Sequence, residues 1–267
     1  MTLLNLLLVA IVQGITEFLP VSSSGHLVLL PALTGMRDQG LAIDVAVHVG
    51  TLGAVIVYFW PDVRNLLGGI PQLLRGRVES QGAWLALCLL ISTIPVAVAG
   101  LILQVTGLIE ALRSVAVIGW STLIFGILLY FVDQNAPAER RAERWSMRDA
   151  TIMGFWQVIA LIPGASRSGV TITGGRYLGY RRDDAARLSM LMSIPTILCS
   201  GALLSVDAIA DASPGFVRDA SIAAAFAFVA ALLALKLMFM LLRSTSFTPY
   251  VLYRIALGLG LLAYSYF

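Results

Sequence analysis

Ionisable and hydroxyl side chains interrupt an otherwise apolar stretch near the start of the chain. From Met1 to Leu33 the only ionisable side chains are Glu17 and His26, and Leu, Val and Ile fill both flanks. Between them, Pro20 precedes three serines and a glycine, a run that interrupts a helix. Broken backbone at membrane depth is tolerated only where it is buried in protein or lines a cavity, and an ionisable residue there indicates function.

The residue types in this first stretch can perform acid–base or nucleophilic chemistry. Glu17 can act as a general base or bind a divalent cation, and Gln13, four residues earlier, faces the same side of a helix. His26 is suited to moving a proton near pH 7. Three hydroxyls lie between them and can supply a nucleophile or hydrogen-bond donors: Ser22, Ser23 and Ser24.

A second glycine- and hydroxyl-rich stretch, residues 163–175, has the features of an anion site. Gly164 lets backbone N–H groups approach an anion, and a helix restarting after the loop presents its positive end. Arg167 adds a planar fork that matches phosphate oxygens. Hydroxyl donors surround it at Ser166, Ser168 and Thr171. The alternative interpretation is that Arg167 is a structural partner of Glu17.

Simpler interpretations apply to some of these residue types elsewhere. A lone histidine in a membrane segment usually makes a hydrogen bond between helices, but the serines and Glu17 near His26 favour catalysis. His48 has no such neighbours in sequence, and we interpret it as structural or peripheral. Cys88 and Cys199 lie in apolar segments without a metal-binding spacing, and we interpret them as packing residues.

Composition indicates an all-α polytopic membrane protein. The chain has 267 residues, of which 58% are hydrophobic and 12% charged. Soluble domains carry about 25% charged residues. We therefore expect the bilayer as a partner and no nucleic acid.

Apolar segment lengths predict six transmembrane helices, since a span needs about 20 residues. They are 44–60, 83–103, 113–132, 185–206, 219–242 and 250–267. Two further apolar segments, 2–33 and 151–178, are interrupted by Pro, Gly and Ser near their middles. These predict helical hairpins that enter the membrane and return to the same side.

The distribution of basic residues predicts the orientation. In this layout fourteen basic residues lie on one side, and Arg37, Arg113 and Arg218 lie on the other, with Arg167 inside the membrane. Cytoplasmic loops carry the excess of Lys and Arg. We therefore expect the loop 133–149 to be cytoplasmic and both termini to lie on the outer side of the membrane.

The loop also divides the chain into two similar halves. Residues 1–132 and 151–267 each contain one broken hairpin followed by three spans, joined by the linker 133–150. Because the halves begin on opposite sides, they form an inverted repeat. Gln13 and residues 22–25 align at a constant offset of 144 with Gln157 and residues 166–169. This repeat predicts that the two broken loops meet near the membrane midplane.

Together these residues fit hydrolysis of a phosphate or diphosphate on a lipid whose tail stays among the helices. The first stretch, Gln13-x-x-x-Glu17-Phe-Leu-Pro-Val-Ser-Ser-x-Gly-His26, and the second, Pro163-Gly-x-Ser-Arg-Ser-Gly-x-Thr171, resemble the signature motifs of the bacterial undecaprenyl-diphosphatase family, the bacitracin-resistance proteins. The resemblance extends to the closing stretch, which carries Tyr253 and Arg254.

The resemblance implies a membrane enzyme that removes the terminal phosphate of undecaprenyl diphosphate, recycling the lipid carrier for cell-wall synthesis and conferring bacitracin resistance. It also implies a divalent cation, Mg²⁺ or Ca²⁺, with Glu17 as its ligand. Many members have Glu where this chain has Gln13, which leaves Glu17 as the one acidic candidate. The functional set implied by the motifs is Gln13, Glu17, Ser23, His26, Ser166, Arg167 and Thr171.

In the expected mechanism, Ser23 attacks with the help of Glu17 or His26 while Arg167 holds the diphosphate. Direct attack by His26 or by water is left open, as is a homodimer. Type 2 phosphatidic acid phosphatases share the fragment Ser24-Gly25-His26, but their Lys-rich motif is missing, since Lys236 is the only lysine. The main alternative is a transporter or flippase of a phosphorylated lipid, because inverted repeats with broken helices are a transporter architecture.

Overall fold

The structure is a computed structural model with an all-α architecture. It describes residues 2–35, 40–108, 112, 114–210 and 215–266. Arg37 and Arg113, two of the three basic residues predicted on the non-cytoplasmic side, lie outside this part of the chain.

Eleven α-helices make up the described part of the chain. In order they are α1 Leu3–Thr16, α2 Ser23–Thr34, α3 Leu41–Tyr58, α4 Trp60–Leu74, α5 Gln81–Thr106, α6 Val115–Asn135, α7 Met147–Val158, α8 Arg167–Tyr177, α9 Arg182–Ala210, α10 Phe216–Leu241 and α11 Thr248–Tyr266. Two 3₁₀ turns, Ala142–Arg144 and Ile159–Leu161, precede and follow α7.

Hydroxyl side chains begin several of these helices because the first N–H groups of a helix lack partners within it. The Ser80 side chain accepts the backbone N–H of Ala83 at the start of α5, and Ser114 accepts that of Val117 at the start of α6. Ser146 and Asp149 form a reciprocal capping box on α7. The sequence thus determines these helix starts locally.

Four described helices are each long and apolar enough to cross a membrane: α5, α6, α9 over Arg182–Ala202, and α10. They coincide with four of the six predicted spans. The predicted span 44–60 corresponds to α3, which passes the same test only together with α4, and the pair bends by 93° between Tyr58 and Trp60. The described chain thus has four candidate spans, or five if the bent pair counts as one.

The predicted span 250–267 is not among these candidates. It corresponds to α11, where Arg254 and several tyrosines lower the hydropathy of the helix. Of the six predicted spans, the described residues therefore show four, or five with the bent pair, and the span 250–267 stays a prediction. Segment length located these helices, but the bend after α3 and the polar side chains of α11 keep each from passing alone as a span.

The outer surface of the helices is apolar. On α5, Leu90, Ile94 and Val98 follow one another at four-residue spacing and each exposes about half of its surface. A contiguous apolar face of this kind marks contact with lipid or a partner. With the candidate spans, it defines a multi-pass membrane protein.

Small residues let α10 approach its neighbours closely, as is common between membrane helices. Ala223, Ala227 and Ala231 are fully buried on one face of α10. A Cβ on Gly14 of α1 would lie 2.6 Å from the Ala227 carbonyl oxygen, and one on Gly50 of α3 would lie 2.2 Å from that of Ala224. Glycine at these positions therefore allows α1 and α3 to pack on α10.

Both interrupted segments are broken as predicted. The first has α1 and α2 separated by residues 17–22, and the second has α7 and α8 separated by residues 159–166. The last residue of each break has a positive φ, 76° at Ser22 and 70° at Ser166. Such backbone is uncommon outside glycine and is found at functional sites.

Two arginines counted among the fourteen cytoplasmic cations are instead buried in the protein. Arg176 is 1% exposed and Arg254 is 0% exposed. Arg176 binds the Asp133 carboxylate and donates to four backbone carbonyls, those of Asp133, Ala136, Pro137 and Tyr180. Both side chains are thus enclosed by protein, and the side of the membrane on which they lie stays a prediction.

Candidate active site

Glu17 is the centre of the polar cluster that the two broken loops form. Its Oε1 accepts a hydrogen bond of 2.8 Å from Nη2 of Arg167. Its Oε2 accepts hydrogen bonds from the Ser23 hydroxyl, at 2.9 Å, and from Nε2 of Gln13, at 2.8 Å. The structure thus brings four of the predicted site residues into direct contact.

The two loops supply complementary groups to this cluster. Glu17 lies just after α1 and Ser23 is the first residue of α2, while Arg167 is the first residue of α8. The Arg167 guanidinium also lies 5.8 Å from the centre of the Phe18 ring, close enough for a cation–π contact. The side chains of Arg167 and Glu17 are 13% and 9% exposed, so the ion pair is largely shielded from solvent.

Hydrogen bonds between the loops hold this arrangement. The Ser168 hydroxyl donates to the carbonyl oxygen of Leu19 at 2.9 Å, and the Gly164 N–H donates to the Ser24 hydroxyl at 3.4 Å. Gly164 has a φ of 92°, and a Cβ there would lie 2.2 Å from the Ser121 hydroxyl. Glycine is therefore required at this position for both conformation and space.

Ser22 and Ser166 act within their own loops. The Ser22 hydroxyl accepts the Gly25 N–H, and the Ser166 hydroxyl accepts the Gly169 N–H, each at the start of a helix. Thr171 is fully buried and its hydroxyl contacts the Arg167 carbonyl and the Ser189 hydroxyl. These three predicted substrate-binding residues support the loops, and direct binding by them stays a prediction.

His26 lies beside the cluster, with hydrogen bonds of its own. Its Nδ1 lies 2.7 Å from the Ser22 carbonyl oxygen, and its Nε2 lies 2.5 Å from the Tyr253 hydroxyl. A carbonyl can only accept, so Nδ1 carries a proton, and in the neutral ring Nε2 accepts from Tyr253. The ring is thus held in one orientation by partners from the first broken loop and from α11.

His48 lies next to Glu17 and Gln13, so it is not peripheral as the sequence suggested. Its Nε2 lies 3.8 Å from Oε2 of Glu17 and 3.2 Å from Nε2 of Gln13. Its Nδ1 lies 2.6 Å from the Asp44 carbonyl oxygen and therefore carries a proton. Nε2 of a neutral ring then accepts from Gln13, whose amide links His48 to Glu17. Nothing near His48 in the sequence indicates this, because the packing of α3 beside α1 creates the contact.

Tyr253 and Arg254 were also not among the predicted site residues. Tyr253 contacts His26, and Arg254 donates hydrogen bonds to carbonyls of both broken loops. The closing motif of the chain was the available signal, since the resemblance already included both residues. These contacts depend on the packing of α11 against the loops, which the sequence pattern does not specify.

These contacts define a polytopic membrane protein with a shielded site in which a carboxylate, a hydroxyl and a guanidinium meet. The arrangement can bind an anion and activate a hydroxyl nucleophile. The family model for the bacitracin resistance protein BacA matches residues 6–260, and the chain belongs to this family.

Full-length relatives carry a more specific name. The chain is 64% identical over 266 residues to the undecaprenyl-diphosphatase of Dinoroseobacter shibae and 62% identical to that of Ruegeria pomeroyi, with 100% of each chain covered. A more distant undecaprenyl-diphosphatase, from Hahella chejuensis, is 43% identical over 100% of this chain and 99% of its own length.

Proposed function

We propose that this chain hydrolyses the terminal phosphate of undecaprenyl diphosphate, giving undecaprenyl phosphate and inorganic phosphate, and thereby confers bacitracin resistance. The relatives carry the name of this activity. The structural observation that supports it is the pair of contacts of Glu17. One carboxylate oxygen accepts a hydrogen bond from the Ser23 hydroxyl, and the other accepts one from the Arg167 guanidinium. A base, a nucleophile and a phosphate-binding cation are the groups that phosphoryl transfer needs.

In the proposed reaction Ser23 is the nucleophile. Its oxygen attacks the terminal phosphorus while its proton passes to Glu17, 2.9 Å away. The bond from phosphorus to the bridging oxygen breaks, and undecaprenyl phosphate leaves with the electron pair. Water then attacks the phosphoserine, releases inorganic phosphate, and the Ser23 oxygen recovers a proton. Transport alone would not need a hydroxyl aligned with a carboxylate in this way.

Arg167 binds the diphosphate in this proposal. Its pairing with Glu17 keeps the buried guanidinium compensated before substrate arrives. Phosphate oxygens then compete for its N–H groups, and the fork stabilises charge on the transferring group. Because Arg167 is the first residue of α8, the positive end of that helix adds to the positive potential beside it.

His26 is assigned to proton transfer rather than to attack on phosphorus. Both ring nitrogens already have partners, Ser22 and Tyr253. Attack by Nε2 would require loss of the Tyr253 hydrogen bond, whereas the Ser23 hydroxyl needs no such change. His26 and Tyr253 can instead relay a proton away from the water that attacks the phosphoserine.

A divalent cation, Mg²⁺ or Ca²⁺, is part of the proposal. Gln13 Oε1 is buried without a hydrogen-bond partner, next to Glu17, and oxygen atoms are the ligands that these cations prefer. Within the described residues, no group of three or more His, Cys, Asp and Glu side chains could hold a metal. Glu17 and Gln13 would therefore hold the ion together with diphosphate oxygens, and the ion would neutralise phosphate charge.

The finer architecture is also proposed: an inverted repeat of residues 1–132 and 151–267, with two re-entrant hairpins in a bacterial inner membrane. The support is reciprocal packing between the halves. Hairpin helix α1 packs on α10 of the other half, and hairpin helix α7 packs on α5. The last long helices of the two halves, α6 and α11, pack on each other.

Labelling of introduced cysteines tests the orientation. With the linker 133–150 in the cytoplasm, a cysteine at Glu139 should react with a membrane-impermeant reagent only after cell lysis. A cysteine at Asn5 should react in intact cells. The reverse pattern would contradict the proposed topology.

Phosphate release by purified protein tests the activity. We expect undecaprenyl diphosphate to be hydrolysed, a chelator to suppress the reaction, and Glu17→Ala to abolish it while the protein still purifies. Transfer of the lipid across vesicles without phosphate release would favour the transporter alternative.

A further inference from the structure

Arg254 lies beneath both broken loops and is fully buried. Its Nη2 donates to the carbonyl oxygens of Gly164, at 3.2 Å, and Ala165, at 2.9 Å. Its Nη1 donates to the Pro20 carbonyl oxygen at 3.4 Å. One guanidinium therefore joins the first loop to the second, in addition to a 3.1 Å bond from Nε to the Thr122 carbonyl on α6.

Arg254 makes no ion pair with a carboxylate in the part of the chain that the structure describes. Its hydrogen-bond acceptors are all neutral backbone carbonyls, and within the described ranges no carboxylate lies at ion-pair distance from it. Arg176, the other fully buried arginine of the described chain, is paired with Asp133 at 2.9 Å. A buried charge is costly unless it is paired, and such residues in membrane segments usually serve function.

The surrounding backbone is adapted to this cation. A Cβ on Gly169 would lie 2.6 Å from Arg254 Nη1, and one on Gly126 would lie 3.0 Å from Arg254 Cβ. Gly169 is in the first turn of α8, so the guanidinium lies beside the positive end of that helix. The Arg254 guanidinium and the positive end of α8 are thus side by side, and an anion bound at the two loops would compensate both.

We propose that Arg254 is a positioning residue that joins the two loops and supplies the second fixed positive charge of the diphosphate site. This inference rests on the proposed diphosphatase function. Arg167 and Arg254 together exceed the single negative charge of Glu17, so the substrate-free site keeps a net positive charge. A diphosphate, which carries several negative charges, is the complementary ligand, and its neutral alcohol is not.

Binding of three ligands to purified protein in detergent tests the charge directly: inorganic pyrophosphate, inorganic phosphate and the neutral lipid undecaprenol. Ligand-dependent shifts of the melting curve give each affinity without any turnover. Arg254→Gln should weaken pyrophosphate binding by about tenfold, phosphate by less, and undecaprenol by no more than about twofold. Equal weakening of all three ligands, or none, would overturn the proposal.

Arg254→Lys separates the effect of the charge from that of the hydrogen bonds. It also tests the proposal if Arg254→Gln does not fold. Lysine keeps the charge but cannot reach three carbonyls in the plane of a guanidinium. We expect pyrophosphate affinity within about threefold of the original chain, together with a lower melting temperature and a lower kcat. A loss of pyrophosphate and undecaprenol binding in parallel would show a structural role alone.

Arg176→Lys is the matched control, since Arg176 is equally buried but paired and lies outside the site. It should lower the melting temperature without changing the relative affinities of the three ligands. Phosphate release from undecaprenyl diphosphate by the original chain is measured in parallel. Its absence would reject the proposed function, whereas charge-independent ligand affinities in Arg254→Gln would reject only the role of Arg254.

Discussion

Ser22 and Ser166 occupy equivalent positions in the two broken loops, 144 residues apart. Each has a positive φ, each accepts the N–H of the glycine three residues later, and each lies close to the hydroxyl two residues later, at 3.3 Å in the first loop and 3.2 Å in the second. The two loops therefore share the same local backbone conformation and hydrogen-bond pattern at these positions.

The residue that follows is where the loops differ. Position 23 carries a serine that donates to Glu17, and position 167 carries an arginine that also donates to Glu17. The same backbone position thus presents a hydroxyl from one loop and a cation from the other. In the proposed reaction, this difference places attack on one side of the site and charge stabilisation on the other.

The two glutamines that align at the same offset of 144 residues show a smaller difference. Gln13 and Gln157 are both fully buried, and Oε1 of each lacks a hydrogen-bond partner. Nε2 of Gln13 donates to Glu17, whereas Nε2 of Gln157 donates to the Thr196 hydroxyl at 3.1 Å. Only the first glutamine reaches the Glu17 carboxylate, so equal burial does not imply an equal role.

The largest expected effect is at position 23. If Ser23 is the nucleophile, Ser23→Ala should lower kcat by at least about 10³-fold, because no other hydroxyl is aligned with Glu17 in the described site. Ser24→Ala is the matched control, since that hydroxyl contacts Ser22 and Gly164 but not Glu17. It should lose less than about tenfold. Equal losses in phosphate release would show that Ser23 is not distinguished from its neighbour.

At the equivalent position of the second loop, Arg167→Lys should lower turnover by about 10²–10³-fold, and Arg167→Ala by at least as much. Lysine supplies a charge but not the bidentate fork. Turnover is counted per folded molecule, using a melting curve in detergent. A structural role predicts poor folding with normal activity in the remaining folded fraction. Near-normal turnover of well-folded Arg167→Ala would refute phosphate binding by Arg167.

The two glutamines give a smaller contrast. Gln13→Ala should lower kcat by about tenfold, far less than Glu17→Ala, since Glu17 keeps its contacts with Ser23 and Arg167. Gln157→Ala should lower the melting temperature and leave kcat nearly unchanged. A loss in Gln13→Ala equal to that in Glu17→Ala would mean that the Gln13 amide is itself essential.

Much of the site could be predicted from local sequence. Proline, glycine and consecutive serines break helices wherever they occur, so both loops were located correctly. The roles of His48 and Arg254 could not be predicted in this way. His48 reaches Glu17 because α3 packs beside α1, and Arg254 was counted as a loop cation because a charge in a helix gives no sign of its depth. Such contacts depend on tertiary packing rather than on spacing along the chain.

The first helices of the two hairpins differ in how firmly their starts are fixed. At the start of α1, the Thr2 hydroxyl accepts the Asn5 N–H at 3.3 Å. At the start of α7, the Asp149 carboxylate accepts hydrogen bonds from Ser146, at 2.7 Å, from Tyr180, at 2.8 Å, and from both terminal nitrogens of Arg140. The second hairpin is therefore tied to the linker and to the start of α9.

The last prediction uses this anchor, which lies away from the chemistry. Burial raises the pKa of the Asp149 carboxyl, but hydrogen bonds from Arg140, Ser146 and Tyr180 outweigh it and hold the pKa below its ordinary value of 3.8. A carboxyl with a lowered pKa stabilises the fold above its unfolded pKa, and this contribution is lost as the pH falls through the folded value. Asp149→Asn should destabilise the fold by about 1–3 kcal/mol at neutral pH, with kcat per folded molecule unchanged.

The melting temperatures of Asp149→Asn and the original chain should differ by a constant amount from neutral pH down to about pH 4. Below that, the difference should shrink, because protonation removes from the original chain the same charge that the substitution removes. Thr2→Ala in the first hairpin is the control and should give a smaller, pH-independent change, since no titrating group forms that cap. If the difference for Asp149→Asn stays constant at acidic pH, the ion pair with Arg140 contributes nothing to anchoring the second hairpin, and the asymmetry between the two helix starts is one of contacts alone.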